Sequence, residues 1–137
     1  MLKRSMRSAR RVLTGAFVNE GALVDALMKR SEDVLLVPAG KDRRPSLEDV
    51  AFCGSVCQRL LAQPFSLDES ARMALTIWKA HEHDVHGLLT ASSHGAWLLK
   101  NGFAADLEFC SRRDIVPVAP RFEKNRLRLV SSTDTFE

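Results

Sequence analysis

The residues best suited to chemistry lie in one stretch, where a glycine-containing basic loop precedes two adjacent carboxylates. An apolar segment at 34–37 leads to Gly40, and the loop continues with the cations Lys41, Arg43 and Arg44. The carboxylates, Glu48 and Asp49, follow in the first turn of a predicted helix. In open α/β sheets, small ligands bind where loops beyond strand ends feed helix N-termini. The stretch therefore suits an anionic substrate held together with a metal ion.

The same stretch has a purely structural interpretation. Ser46 and Asp49 have the Ser-x-x-Asp spacing of a capping box. Acidic side chains in a first helical turn also complement the helix dipole without any ligand. The local pattern alone leaves both interpretations open.

Four histidines fall close together along the chain, namely His81, His83, His86 and His94. On one helix His81 and His83 would point about 200° apart, so they could not share a metal ion. We interpret the first three as part of a solvated helix terminus. His94 differs, because a first-turn imidazole after a small-residue loop could donate to a phosphate or act as a general acid.

Composition and charge indicate one soluble domain. The chain has 137 residues, 45% of them hydrophobic and 27% charged, and no apolar run long enough to span a bilayer. We expect a cytoplasmic protein with its three cysteines reduced, Cys53 and Cys57 lying in the core. The first eleven residues contain five cations and no acid, at Lys3, Arg4, Arg7, Arg10 and Arg11, and without these five the net charge of +3 would be −2. We interpret this basic arm as a solvated terminus and do not expect nucleic-acid binding.

The hydrophobic patterning alternates between strands and helices. Strands are predicted at 11–17, 34–37, 115–118 and 127–130, the last two flanking a turn at 123–125. Helices are predicted from an N-cap at Asn19 to Arg30, over 47–61, after a cap at Ser66, and over 85–90, 94–100 and 103–110. This order predicts an α/β fold, a three-layer α/β/α arrangement with a small mixed, partly parallel sheet. The strands are few for so many helices, so we expect the chain to be part of a larger fold.

Short motifs occur in the order seen in one known family. They are Thr14-Gly15-Ala16-Phe17-Val18-Asn19, Ala39-Gly40 with Ser46-Leu47-Glu48-Asp49, Ser93-His94-Gly95 with Leu98, Gly102-Phe103, Asp106, and Phe109-Cys110 with Val116-Pro117. Across residues 12 to 120 the chain resembles the C-terminal part of the 2-phosphosulfolactate phosphatase family. Pro38 departs from the pattern, because the family usually has cysteine there. The family's N-terminal motifs have no counterpart in this sequence.

The resemblance implies an Mg2+-dependent phosphatase that hydrolyses 2-phospho-3-sulfolactate to 3-sulfolactate and phosphate, a step toward coenzyme M. It implies metal binding by Glu48 and Asp49, with His94 and Asp49 as catalytic residues. The implied substrate-binding residues are Asn19, Gly40, Lys41, Arg43, Arg44 and Gly95. Because half of the family's motifs are missing, we expect little activity from this chain alone.

Two other functions stay open at this point. The chain could be a catalytically silent remnant that acts as an interaction module, or a nucleic-acid-associated protein that uses its basic arm. We expect a basic arm at 1–11, a single α/β domain at 12–130 and a loose tail at 131–137. A small anionic phosphoester is the expected ligand, homo-oligomerisation is expected, and no membrane association is.

Overall fold

The computed structural model describes residues 9, 11–29, 32–123 and 126–131. Its strands are β1 (Val12–Leu13), β2 (Val118–Glu123) and β3 (Arg126–Ser131). Its α-helices are α1 (Glu20–Met28), α2 (Leu47–Leu60), α3 (Glu69–Lys79), α4 (Val85–Ala91), α5 (Ser93–Lys100) and α6 (Ala104–Ser111). Most of the predicted basic arm, part of the predicted turn at 123–125 and the tail beyond Ser131 lie outside the described residues.

The chain forms two compact units, and the helical one is continuous in sequence. One unit combines Met1–Glu32 with Arg113–Glu137, and the other is Asp33–Arg112. The first therefore draws on two segments that are distant along the chain. The domain boundaries at 12 and 130 stay a prediction.

The first unit is built on an antiparallel sheet in the order β1-β2-β3. Val12 lies opposite Phe122 in one pairing, and Val118 lies opposite Ser131 in the other. Helix α1 packs against β2 and buries Leu23 and Val24, as its helical periodicity requires.

The start of α1 is fixed by a partly buried ion pair and a carboxylate cap. Glu20 is fully buried, and its Oε2 accepts from Arg113 Nη2 at 2.7 Å. Asp114 Oδ1 accepts from Gly21 N at 2.5 Å, while Asp114 N donates to Phe17 O at 3.1 Å. Because Arg113 is 34% exposed, solvent screens this pair more than a fully buried one. These contacts tie the segment after α6 to the beginning of α1.

The second unit is helical, with α2 packed along α3 and α4 in contact with α2, α5 and α6. Gly54 lets α2 approach α3 closely, since a Cβ there would lie only 2.7 Å from Trp78 Cβ. Trp78 and Leu88 are almost completely buried in this unit. Such close packing is typical of a protein interior.

Most helix predictions are confirmed, within a residue or two at their ends, for α2, α4, α5 and α6. The predicted cap of α3 at Ser66 is wrong, because Asp68 is the N-cap and its Oδ1 accepts from Ala71 N at 2.8 Å. Asn19 precedes α1 as predicted, but its side chain does not cap the helix. The α/β class is confirmed.

The partly parallel sheet is wrong for the described strands, since both pairings are antiparallel. Only two residues separate β2 from β3 in the sequence, and so short a connection permits only an antiparallel pair. The predicted strand at 34–37 is not a strand in the structure, and that at 115–118 overlaps β2 only at Val118. The three-layer arrangement stays a prediction.

Candidate functional site

The basic loop that precedes α2 is a tight turn. Lys41 N donates to Arg44 O at 3.0 Å, and Arg44 N donates to Lys41 O at 2.8 Å. The central residues, Asp42 and Arg43, have φ values of 51° and 63°. Two consecutive positive φ values define a type I′ turn, which reverses the chain in the least space. The loop therefore has a definite conformation, set by its own backbone hydrogen bonds.

Asp49 fastens this turn to the first turn of α2. Its Oδ2 accepts from Gly40 N at 2.7 Å and from Ser46 Oγ at 2.6 Å. Gly40 has a φ of 66°, and a Cβ there would collide with the carbonyl oxygen of Arg44, so glycine is required. Ser46 is the N-cap residue, yet its hydroxyl donates to Asp49 and makes no capping hydrogen bond. We call Gly40, Ser46 and Asp49 the turn clamp.

The turn presents positive charge beside the two carboxylates. Lys41, Arg43 and Arg44 are all exposed, whereas Glu48 and Asp49 are partly buried. Exposed cations attract a dianion by their charge, and each Lys or Arg side chain that binds it loses rotamer freedom at a cost of about 0.5–1.5 kcal/mol. The sequence prediction that these residues cluster at the start of α2 agrees with the structure; their binding roles stay predictions.

The carboxylates offer a partial donor set for a magnesium ion. Mg2+ keeps several waters and is often held by one or two carboxylates together with substrate phosphate. Asp49 Oδ2 is engaged in the turn clamp, which leaves Oδ1 and the Glu48 carboxylate as candidate ligands. Within the described residues, no group of three His, Cys, Asp or Glu side chains is arranged to hold a metal. Magnesium binding by Glu48 and Asp49 therefore stays a prediction.

His94 and Gly95 lie in the first turn of α5. Ser92 is the N-cap, and its Oγ accepts from Gly95 N at 2.9 Å. Gly95 is buried, and a Cβ there would collide with the carbonyl oxygen of Leu89, so the glycine serves close packing. The exposed His94 ring stacks on Trp97, with centroids 6.0 Å apart and an interplanar angle of 9°.

The buried side chain of Asn19 links backbone groups within the sheet-containing unit by hydrogen bonds. Its Oδ1 accepts from Ala16 N at 2.7 Å, and its Nδ2 donates to Val118 O at 2.9 Å and Thr14 O at 3.3 Å. Buried amide groups need such partners. The structure thus gives Asn19 an architectural task, and its predicted contact with substrate stays a prediction.

Of the two cysteines of α2, Cys57 lies in the core as predicted, whereas Cys53 is only partly buried. Burial is the main cause that raises the pKa of Cys53 to about 11, with Cys57 and Asp49 adding to it. Burial also raises the pKa of Cys57, which is only 2% exposed. A thiol with a raised pKa is a poor nucleophile at neutral pH.

Sequence reasoning missed the turn clamp and the ring stacked on His94. No familiar Asn-Gly or Asp-Gly signal marks the turn, since Asp42-Arg43 occupies its centre. The sequence contains one indication of the turn clamp. Gly40 precedes Asp49, a residue in the first turn of α2, by nine positions. Trp97 lies three residues after His94, a spacing that brings side chains together on a helix.

This α/β protein has a clamped basic turn at the start of a helix, and such helix starts are typical of proteins that bind small anions. Comparison with known proteins makes the class specific: the family model for 2-phosphosulpholactate phosphatase matches residues 1–125. The chain belongs to the 2-phosphosulfolactate phosphatase family.

Individual relatives agree with this assignment. A probable 2-phosphosulfolactate phosphatase of Carboxydothermus hydrogenoformans is 36% identical over 123 residues, which cover 90% of this chain and 51% of the relative. The probable enzyme of the same name from Thermotoga petrophila is 36% identical over 109 residues, covering 80% and 47%. One from a Synechococcus strain is 39% identical over 114 residues, covering 80% and 47%. The chain spans about half the length of the curated relatives it matches.

Proposed function

We propose that this chain serves in the hydrolysis of a small phosphomonoester, 2-phosphosulfolactate, to the hydroxy acid and inorganic phosphate. The observation that carries the proposal is the family match over residues 1–125. The clamped basic turn supports it, because a phosphomonoester dianion needs preorganised positive groups. The catalytically silent alternative has no specific observation in its favour.

The turn residues bind and orient the phosphate. Lys41, Arg43 and Arg44 supply the charge, and the clamp on Gly40 keeps the backbone that carries them in place. Rate enhancement in phosphoryl transfer comes mainly from such positioning and electrostatic stabilisation. Gly95 is a further proposed substrate contact within the same helical unit.

Glu48 and Asp49 would hold Mg2+, with Asp49 using the Oδ1 that the clamp leaves over. When bound, the ion would neutralise phosphate charge and favour the loss of a proton from water. His94 is exposed at the start of α5, so its imidazole can supply a proton to the alkoxide as the phosphorus–oxygen bond breaks. Water supplies the oxygen that phosphorus gains, and the proton that water loses replaces the one that His94 gives up.

None of the described helices is long and apolar enough to cross a membrane. We place the reaction in the cytoplasm and assign it to coenzyme M synthesis. We also propose that the chain self-associates.

Binding of inorganic phosphate, measured by calorimetry in EDTA at low ionic strength, tests the proposed role of the turn. The double variant Lys41→Gln/Arg44→Gln should bind phosphate roughly tenfold more weakly, since two charges near the anion are lost. Lys100→Gln, which removes an exposed charge at the other end of α5, is the matched control and should leave affinity unchanged. Equal affinity in all three proteins would contradict the anion-binding role.

Phosphate release from 2-phosphosulfolactate, with Mg2+ and with EDTA, tests the reaction itself. We expect turnover in a full-length relative and little in this chain alone, because the loss of one preorganised group already costs about 10²–10³ in rate. A full-length relative that is inactive on this substrate in Mg2+ would contradict the proposed reaction.

A further inference from the structure

The apolar segment 34–37 alternates in exposure like a strand. Leu35 is 74% exposed and Val37 is 44% exposed, while Val34 and Leu36 are partly buried. A period of two is the signature of an extended segment that faces the protein on one side only. Within the described residues the segment belongs to no strand and has no ladder partner.

The outward face of segment 34–37 is apolar, which is unusual for a strand face in contact with solvent. A strand with one wet face alternates apolar with polar residues, whereas Val34-Leu35-Leu36-Val37 is apolar throughout. Single exposed hydrophobic residues are ordinary on protein surfaces. A continuous apolar run with unpaired backbone is different, because it is a template for strand addition. The sequence is that of a strand covered on both faces, whereas the structure leaves one face exposed. The absence of a neighbouring polypeptide segment would produce this difference.

We propose that segment 34–37 is the docking site for a polypeptide equivalent to the half of the relatives that this chain does not span. The segment lies inside the matched range 1–125, and the matched relatives are about twice as long as their matching part. Those relatives therefore contain a further length of chain, comparable to their matching part, that this chain does not span. The occupant adds a strand along 34–37 and covers Leu35 and Val37.

The other exposed apolar strand is a weaker candidate for this role. β3 exposes Leu127 at 64% and Leu129 at 71%, and it is an edge strand. However, β3 (Arg126–Ser131) begins beyond the matched range, so the family relationship gives no reason to expect a family partner there. Segment 34–37 also leads directly into Gly40 of the turn clamp, which joins the docking site to the proposed phosphate site.

The inference rests on the proposed function, since the completed pair is the form expected to turn over substrate. Complex formation is measured separately from catalytic activity. The test co-expresses the full 137-residue chain, tagged, with the unmatched half of the Carboxydothermus hydrogenoformans relative. We expect the two to copurify as a one-to-one complex by size-exclusion chromatography with light scattering. Hydrogen exchange of the backbone amides at 34–37 should slow at least tenfold in the complex.

Two kinds of variant locate the contact. Leu35→Ser/Val37→Ser removes the outward apolar face, and Leu35→Pro removes one backbone donor that an added strand would use. Each should reduce recovery of the complex at least tenfold. Met73→Ser is the matched control, because Met73 is 63% exposed on α3 and lies outside the segment. Its complex should form as in the parent chain.

Three results would overturn the inference. If the parent chain does not copurify with the unmatched half of the relative, that half is not the partner. If the Leu35 and Val37 variants copurify with it as well as the parent does, segment 34–37 is not the contact. A homodimer of this chain that the half does not displace would make a second copy the occupant. Loss of phosphate binding with an intact complex would instead count against the proposed function alone.

Discussion

A single carboxylate, that of Asp49, joins the basic turn to the helix that follows it. Its Oδ2 has two donors, Gly40 N and Ser46 Oγ. Asp49→Ala removes both hydrogen bonds, and bonds to a charged acceptor are worth about 1.5–3 kcal/mol each. We expect hydrogen exchange at the Gly40 amide to accelerate at least tenfold, as measured by NMR.

Asp49→Asn separates the clamp from a metal role. An amide oxygen can still accept both hydrogen bonds, so exchange at Gly40 and thermal stability should stay close to those of the parent. In a full-length relative the equivalent change should lower Mg2+-dependent activity, because a neutral amide is a poor magnesium ligand. Full activity there would show that Asp49 holds the turn and no metal. Glu48→Gln is the companion variant, and it should lower activity without accelerating exchange at Gly40.

The thiols differ in their surroundings. Cys110 is exposed on α6, whereas burial raises the pKa of Cys53 to about 11 and also raises that of Cys57. At pH 8 only about one Cys53 thiol in a thousand is ionised in the folded protein. Iodoacetamide should therefore modify one thiol per folded chain rapidly, as counted by mass spectrometry, and all three after unfolding. Rapid modification of Cys53 in the folded chain would contradict its burial.

At the scale of elements, the cap of α3 gives a paired test. Asp68 makes the capping hydrogen bond to Ala71 N, and Ser66 does not. Asp68→Ala should lower the free energy of unfolding by about 1 kcal/mol. Ser66→Ala should leave it within about 0.5 kcal/mol of the parent. Chemical denaturation measures both, and the reverse order would restore the sequence-based prediction.

Helices were predictable here because their signals are local. Asp84 and Ser92 cap α4 and α5 with their own side chains, and apolar periodicity marks the helix lengths. Strands depend on partners elsewhere in the chain, which one segment cannot reveal. Segment 34–37 has the composition of a strand but no partner among the described residues, so the prediction failed there.

The site was predictable in position but not in its internal contacts. The grouping of Gly40 with Glu48 and Asp49 followed from sequence order. The clamp did not, because it depends on the positive φ values of Gly40, Asp42 and Arg43. Of these, only the glycine has a strong preference for that conformation. The resemblance to a family identified the function class, which local residue chemistry left open.

For the whole molecule, exposed apolar surface predicts self-association of the isolated chain. Leu35 lies on the unpaired segment, and Leu127 and Leu129 lie on the edge strand β3. Exposed strand edges of this kind pair with other chains. Light scattering should show a mass that rises with concentration in the micromolar range. Leu35→Ser/Leu129→Ser should suppress that rise while Met73→Ser does not; a strict monomer at high concentration would contradict the expectation.

The ion pair between Glu20 and Arg113 also has a consequence during synthesis. These residues are 93 positions apart, and the whole helical unit, Asp33–Arg112, lies between them. A ribosome therefore delivers α1 long before its buried carboxylate can meet the guanidinium that neutralises it. Domains fold as units while the chain emerges, and contacts between distant residues form slowly. The helical unit can complete itself first, and the N-terminal segment must wait until Arg113 and β2 have been synthesised before its sheet can close.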